Sequence, residues 1–333
     1  MSWVSDYKYT WYEKLAMNVI RSGGHLPDHV AFVMDGNRRY AKLEHIRKID
    51  GHSRGFDKLA DCLRWCLDMG VREVTTFAFS IENFKRSEDE VDDLLNLARE
   101  KFTNLLKERT KLHEYGVRVR IIGNLSLLPE DLQSLMAQVM LETEKNNKLF
   151  LNVAFAYTSR DEITQAIEAI LKEGDNVLEE QDINEHLLEQ CLYTRSSTPP
   201  DLLFRTSGES RISDFLMWQL TYTVLYFAKI FWPEITLWNF LAGIFSYQRA
   251  SVRLEPFKRK QNTEYTITKM NTLSMSRVQL FLKQTLIKVT EQLVLIRSTW
   301  ENSNNSFAKC ERNRKLCNNP IFLNCFSQCG SIA

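Results

Sequence analysis

Three segments of the chain concentrate side chains that can hold anions. The first reads Met34-Asp35-Gly36-Asn37-Arg38-Arg39-Tyr40-Ala41-Lys42: a carboxylate at the end of an apolar run, then glycine, then the start of a helical pattern. Gly36 lets a ligand approach the backbone, the N–H groups of the following turn point outward, and Arg38 and Arg39 add positive charge. A carboxylate repels a phosphate unless a cation joins them, and Mg²⁺ is usually held by one or two carboxylates with phosphate oxygens and water. The pattern points to a Mg²⁺–diphosphate site with Asp35 as the metal ligand. The plainer alternative is that Asp35 caps the next helix and the arginines are surface charges.

The second segment, Phe79-Ser80-Ile81-Glu82-Asn83-Phe84-Lys85-Arg86-Ser87, follows another apolar run and can line the same cleft. Ser87 with Glu90 three residues later also has the signature of a capping box. The third runs from Arg205-Thr206-Ser207-Gly208 to Arg211-Ile212-Ser213-Asp214. Two arginines around a Ser-Gly turn can converge on one anion, so Arg205, Arg211 and Ser213 are expected to make a second phosphate site. Two anion sites imply two phosphorylated substrates. There is no Gly-x-x-x-x-Gly-Lys-[Ser/Thr], Gly-x-Gly-x-x-Gly or His-Glu-x-x-His sequence, which disfavours P-loop hydrolysis, a dinucleotide cofactor and zinc-peptidase chemistry. The acidic run from Asp89 to Asp93 is expected to open a solvated helix whose dipole it suits.

The elements that must position these residues alternate. Apolar runs at His29–Met34, Glu73–Phe79, Val117–Ile122, Phe150–Phe155, Asp201–Arg205 and Thr223–Phe227 read as strands. Helical patterns cover about Arg54–Met69, Glu88–Tyr115, Pro129–Asn146, Arg160–Lys172 and Trp238–Ala250. This order predicts an α/β fold, a central sheet of about six mostly parallel strands flanked by helices, with ligands outside the carboxyl ends of the strands. The strands are continuous apolar runs, as expected for burial on both faces.

The composition is that of a globular protein, with 333 residues, 44% hydrophobic and 26% charged, which excludes a disordered chain. Residues 1–250 carry 30 basic and 37 acidic side chains and residues 251–333 carry 13 and 5, so a mildly acidic body bears a basic tail. That body argues against a nucleic-acid partner. No run approaches the ~20 apolar residues of a membrane span, no signal peptide is evident, and the 7 cysteines are expected as reduced thiols in a chain facing the cytosol. The organisation expected is an N-terminal amphipathic helix over residues 1–24, a catalytic domain over 25–250, and an extension over 251–333. That extension holds one amphipathic helix through Val278, Leu282, Thr285, Val289, Leu293 and Ile296, and an Asn- and Cys-rich end of little order past Trp300.

The segment from His29 to Ala41, with Gly51-His52, Ser80 to Arg86, Arg205 to Gly208 and Arg211 to Gln219, resembles in order the signatures of the cis-prenyltransferases, the undecaprenyl and dehydrodolichyl diphosphate synthases. The resemblance covers about residues 25 to 250. It implies repeated condensation of isopentenyl diphosphate onto farnesyl diphosphate, with a tunnel for the growing chain. It implies that Asp35 holds Mg²⁺; that Gly36, Asn37, Arg38, Arg39, His52, Ser80 and Arg86 surround the allylic diphosphate; and that Arg205, Arg211 and Ser213 hold isopentenyl diphosphate. Asp35, Asn37 and Asn83 are the expected catalytic residues, with the proton going either to a diphosphate oxygen or to Asn83 through water.

Two departures from the bacterial pattern stand out. A metal-binding Glu of those enzymes matches Val224 here, and their C-terminal Arg-x-Gly has no counterpart in residues 251–333, the one Arg-x-Gly of the sequence being Arg21-Ser22-Gly23 near its start. By resemblance the missing motif would come from a partner like the Nogo-B receptor subunit, in a hetero-oligomer on the cytosolic face of the endoplasmic reticulum membrane. The competing reading is a catalytically silent scaffold subunit of the same complex. Trp3, Tyr7, Trp11, Tyr12, Leu15, Val19 and Ile20 form an aromatic-rich helical face that suits either a lipid surface or packing against protein.

Overall fold

The computed structural model describes residues 7–174, 177–267 and 272–317. Ten helices and six strands alternate among them: α1 Trp11–Ser22, β1 His29–Val33, α2 Asn37–Leu43, α3 Lys48–Met69, β2 Glu73–Ser80, α4 Glu88–Lys107, α5 Arg109–Tyr115, β3 Val117–Ile122, α6 Glu130–Glu142, β4 Leu149–Tyr157, α7 Ser159–Gly174, α8 Glu185–Cys191, β5 Leu202–Arg205, β6 Val224–Phe227, α9 Leu237–Ile267 and α10 Thr272–Cys317. Short 3₁₀ turns at Ile81–Lys85 and Trp232–Glu234 lie beside the site.

All strand pairings are parallel, in the order β3-β4-β2-β1-β5-β6. Every residue of β1 and β5 is buried, as their unbroken apolar sequences require of strands covered on both faces. The order turns outward in both directions from β1, so the crevice for a ligand opens where Asp35 ends β1 and Thr206 follows β5. Phe32, Trp65, Phe204, Trp232 and Phe240 pack around one side of β1 with tilted rings 5.7 to 6.3 Å apart.

Two glycines let α2 and α3 cross closely. A side chain at Gly51 would stand 2.7 Å from the Asn37 carbonyl oxygen, and one at Gly55 would stand 2.2 Å from Asn37 Oδ1. The Gly55 carbonyl in turn accepts the indole N–H of fully buried Trp232 at 2.6 Å. This crossing fixes the start of α2, and with it the residues after Asp35, against the body of α3.

Three expectations from the sequence need correction. The helix expected over Glu88–Tyr115 is two helices, because the chain breaks regularity at Glu108. Ser87 does precede α4 but its side chain makes no capping bond. The box forms seven residues earlier, where Ser80 Oγ accepts the Glu82 N–H at 3.2 Å and Asn83 Oδ1 accepts the Ser80 N–H at 2.9 Å. The acidic start of α4 is not wholly solvated either, since the Glu90 side chain is only 10% exposed and serves three cations. α10 runs from Thr272 to Cys317, and the rest of the Asn- and Cys-rich end lies outside the described residues.

α9 runs straight across residue 250 and includes Pro256. α10 docks on the body through buried Val278 and Phe281, which join Ile170 and Leu187. Arg277 Nε donates to buried Asp182 at 2.7 Å. On α1, Met17 and Ile20 pack inward while Trp11, Tyr12, Leu15 and Val19 are exposed. Trp3 lies outside the described residues.

Candidate active site

A cavity of about 610 Å³ opens at the carboxyl ends of β1, β2 and β5, between the sheet and helices α3 and α4. Asp35, Asn37, Arg38, His52, Ser80, Asn83, Arg86, Arg205, Arg211 and Ser213 all line it, so three segments far apart in sequence meet in one place. Gly36 and Arg39 stand just behind this lining. Beyond the polar mouth the walls are Phe56, Leu59, Leu94, Leu97, Ala98, Phe102, Val153 and Phe155.

The backbone of Asp35 is fixed from β5: Thr206 Oγ1 donates to the Asp35 carbonyl at 2.7 Å and accepts the Asp35 N–H at 3.0 Å. Its carboxylate then takes the Gly36 N–H at 2.7 Å and Arg205 Nη2 at 2.9 Å, with Arg39 Nη2 at 3.7 Å. Gly36 has no alternative here. Its φ is 102° and a Cβ would meet the Phe231 ring at 2.8 Å. Asp35 therefore does not cap α2, whose N-cap is Gly36 without a side-chain bond.

Arg205 is almost fully buried and joins both halves of the site. Its Nη1 donates to Ser213 Oγ at 2.8 Å and to the Arg211 carbonyl, while Nη2 holds Asp35. The side chain of Arg211 itself turns outward to Glu209, which also receives Arg39 Nη1 at 3.0 Å. Arg205 thus meets Arg211 through its main-chain carbonyl, while the Arg211 guanidinium pairs with Glu209. Ser207, Ser213, Asp214 and Leu216 all have φ between 49° and 82°. Such strain in non-glycine residues persists only where the surroundings impose it. Asp214 is held by Arg160 at 2.8 Å.

On the other side of the mouth, Glu90 gathers Arg86 at 2.9 Å, Lys48 at 2.9 Å and Arg38 at 3.4 Å. Burial and the neighbouring Arg38 push the Arg86 pKa down, against the pull of Glu90. His52 stands among these cations, and burial first, then Arg86, pushes its pKa down to about 4. Its ring is neutral at pH 7. His52 Nε2, Asn37 Oδ1 and Arg205 Nε are buried in this site without a hydrogen-bond partner, as in a site built to close around a polar ligand.

Sequence reasoning missed Thr206 and Glu90 as supports, and Lys101 and Arg160 as lining residues. Thr206 belongs to the third segment, and its position directly after an apolar strand was the available signal. Glu90 carried a signal of opposite sign, since its place in a capping pattern explained it too easily. Val224 begins β6, level with Leu202 and buried, and offers no second carboxylate to Asp35. Among the described residues no group of three or more His, Cys, Asp or Glu side chains is arranged to hold a metal.

The prenyltransferase family profile described as undecaprenyl diphosphate synthase matches residues 33–255. The human dehydrodolichyl diphosphate synthase complex subunit is 51% identical over 251 residues, 74% of each chain. The corresponding subunit of Schizosaccharomyces pombe is 42% identical over 238 residues, 71% of this chain and 90% of that one. The crystal structure of lavandulyl diphosphate synthase from Lavandula x intermedia, in complex with dimethylallyl diphosphate, superposes with a TM-score of 0.63 at 31% identity, covering 67% of this chain and 95% of that one. The chain belongs to the cis-prenyltransferase family. It is a prenyltransferase of the dehydrodolichyl diphosphate synthase kind, and the scaffold reading is disfavoured, since its relatives are dehydrodolichyl diphosphate synthase subunits and Asp35, Arg39, Arg86, Arg205 and Arg211 are all present.

Proposed function

We propose that this chain condenses isopentenyl diphosphate repeatedly onto farnesyl diphosphate to make a long cis-polyprenyl diphosphate, as the catalytic half of a hetero-oligomer. The observation that carries this reading is the polarity of the cavity: five guanidinium groups and three carboxylates, Asp35 among them, lie at one part of its lining, and Phe, Leu and Ala make up much of the rest. Such a cavity suits a ligand with a doubly anionic head and a hydrocarbon tail.

Asp35 is a single exposed-edge carboxylate ringed by arginines, a donor set that fits Mg²⁺ bound through one carboxylate, diphosphate oxygens and water. When bound, Mg²⁺ would offset charge on the leaving diphosphate. The rest of the work falls to the protein. Arg38 and Arg86, with the N–H groups at the start of α2, hold the allylic diphosphate and stabilise the charge that develops as it departs. Arg205 and Ser213 hold the second diphosphate, and the shared Arg205–Asp35 contact sets the two heads side by side, so the alkene meets the allylic carbon at bonding distance. His52, neutral and unpartnered on one side, can donate or accept a hydrogen bond without adding charge. Asn83 is tied to the Ser80 backbone through its Oδ1, which fixes its amide at the cavity wall.

The human and fission-yeast relatives are named as subunits of a complex. Together with the lack of an Arg-x-Gly in residues 251–333, this supports a partner of the Nogo-B receptor kind that supplies the motif. A lipid surface suits the same reading. Trp11, Leu15 and Val19 on α1, and Trp238, Phe245 and Val252 on α9, are all at least 49% exposed, and Tyr12 stacks on Trp238 with ring centroids 6.2 Å apart. No helix among the described residues is long and apolar enough to cross a membrane. On the exposed apolar faces of α1 and α9 we propose peripheral contact with the cytosolic face of the endoplasmic reticulum.

The test is incorporation of labelled isopentenyl diphosphate into long products with farnesyl diphosphate, by this chain alone and beside a partner ending in Arg-x-Gly, with Mg²⁺ and with excess chelator. Strong incorporation only with partner and Mg²⁺ is expected. Full activity of the chain alone would overturn the partner assignment, and full activity in chelator the metal assignment.

A further inference from the structure

The far part of the cavity holds a residue that a hydrocarbon tunnel does not call for. Leu94, Leu97, Ala98, Lys101 and Phe102 follow one another along the α4 wall at helical spacing, so they share one face. Lys101 is only 3% exposed. Its Nζ stands 4.7 Å from the centroid of the Phe56 ring on α3 and 3.4 Å from Glu100 Oε1. The ammonium also interacts with Asp57 on α3, which offsets part of the cost of burying it, yet a leucine at this place would line an apolar tunnel without any such cost.

The depth of Lys101 suggests what it does. Glu90, which gathers Arg38 and Arg86, lies on the same helix three turns earlier, and at ~1.5 Å per residue Lys101 is about 16 Å further along α4, whose face lines the cavity. The main chain of an extended isoprene unit spans roughly 5 Å at ordinary carbon–carbon bond lengths, so a tail of about three units ends at Lys101.

We propose that Lys101 and Phe56 form a gate across the tunnel where the tail of a three-unit allylic diphosphate ends, and that this gate sets the preference for that starter over a four-unit one. A fourth unit entering with the starter must part the ammonium from the ring and lie against it. During elongation the same cost falls on the first condensation beyond the starter, after which the gate stays open. The inference rests on the allylic tail occupying this cavity.

Competition between farnesyl and geranylgeranyl diphosphate for labelled isopentenyl diphosphate, by the full chain with its partner subunit, tests the gate. Lys101→Met is expected to raise the kcat/KM ratio of the four-unit to the three-unit starter by roughly three- to thirtyfold, the range spanned by losing a cation–π contact. Lys101→Arg, which keeps both cation and ring contact, should leave the ratio within about twofold of the wild type. Phe56→Leu keeps the lysine but removes the ring, and should move the ratio in the same direction as Lys101→Met if the methionine variant folds poorly. An unchanged ratio in a variant that is active, or an equal fall with both starters, would overturn the gate and leave the functional reading standing. Failure of the wild type to condense either starter would overturn both.

Discussion

Asp35 sits where its charge is already balanced, between Arg205 at 2.9 Å and Arg39 at 3.7 Å. Replacing it with asparagine keeps its size and removes the anion that brings the two diphosphate heads together. The expected result is a fall in kcat of roughly a hundredfold or more at saturating substrate, alongside a lower melting temperature because buried Arg205 loses its carboxylate. A fall confined to KM would mean that Asp35 only aids binding. His52 gives a pH signature. Its pKa is pushed down to about 4 in the folded protein, against about 6.5 when exposed. Across that window the unfolded chain binds a proton that the folded one refuses, so this contribution to stability is complete above pH 6.5 and is lost as the pH falls toward 4. The loss should reach roughly 2–3 kcal/mol by pH 4.5. Denaturant unfolding at pH 7 and 4.5 reads it against His52→Gln, which should lose less by about that amount; identical losses would show that His52 is not the group responsible.

At the scale of elements, the loop between β2 and α4 decides how the second segment meets the site. The capping bonds lie at Ser80 and Asn83, and Ser87 makes none. Ser80→Ala should therefore cost about 1 kcal/mol, while Ser87→Ala should fall within about 0.5 kcal/mol of the wild type; thermal melting with the order reversed would place the box where the sequence pattern put it. The reason for the misreading is physical. A Ser-x-x-Glu spacing shows that a box is available, but not that Glu90 has Arg86, Lys48 and Arg38 as stronger partners. The strands were legible to within a residue or two because parallel strands covered on both faces leave unbroken apolar runs. The residues at their carboxyl ends were legible because charge and glycine there have little structural use. Lys101 was not legible, since a lysine on a long charged helix looks like any solvated one until α3 packs against it. Nor was the break at Glu108, where a continuous helical pattern carries no glycine or proline to mark the end.

The molecule as a whole extends well beyond the sheet, and α10 is its largest addition. Phe281 is fully buried, together with Val278, against Ile170 and Leu187 from α7 and α8, and Arg277 meets Asp182 beside them. These contacts lie on elements that contribute no residue to the cavity apart from Arg160. Docking of α10 is therefore expected to support stability and to leave chemistry alone. Phe281→Ala removes a large buried ring and should cost about 3 kcal/mol of unfolding free energy if α10 and the sheet form one cooperative unit, while kcat for the active complex at a temperature well below the transition stays within about twofold of the wild type. Denaturant unfolding followed in parallel with limited proteolysis separates the alternatives. A main transition that does not move, with early cleavage in α10, would mean that the helix folds as a separate unit on a finished domain. A shifted transition with unchanged kcat would make α10 part of the cooperative fold. Loss of kcat without loss of stability would point instead to α10 holding the partner that completes the site.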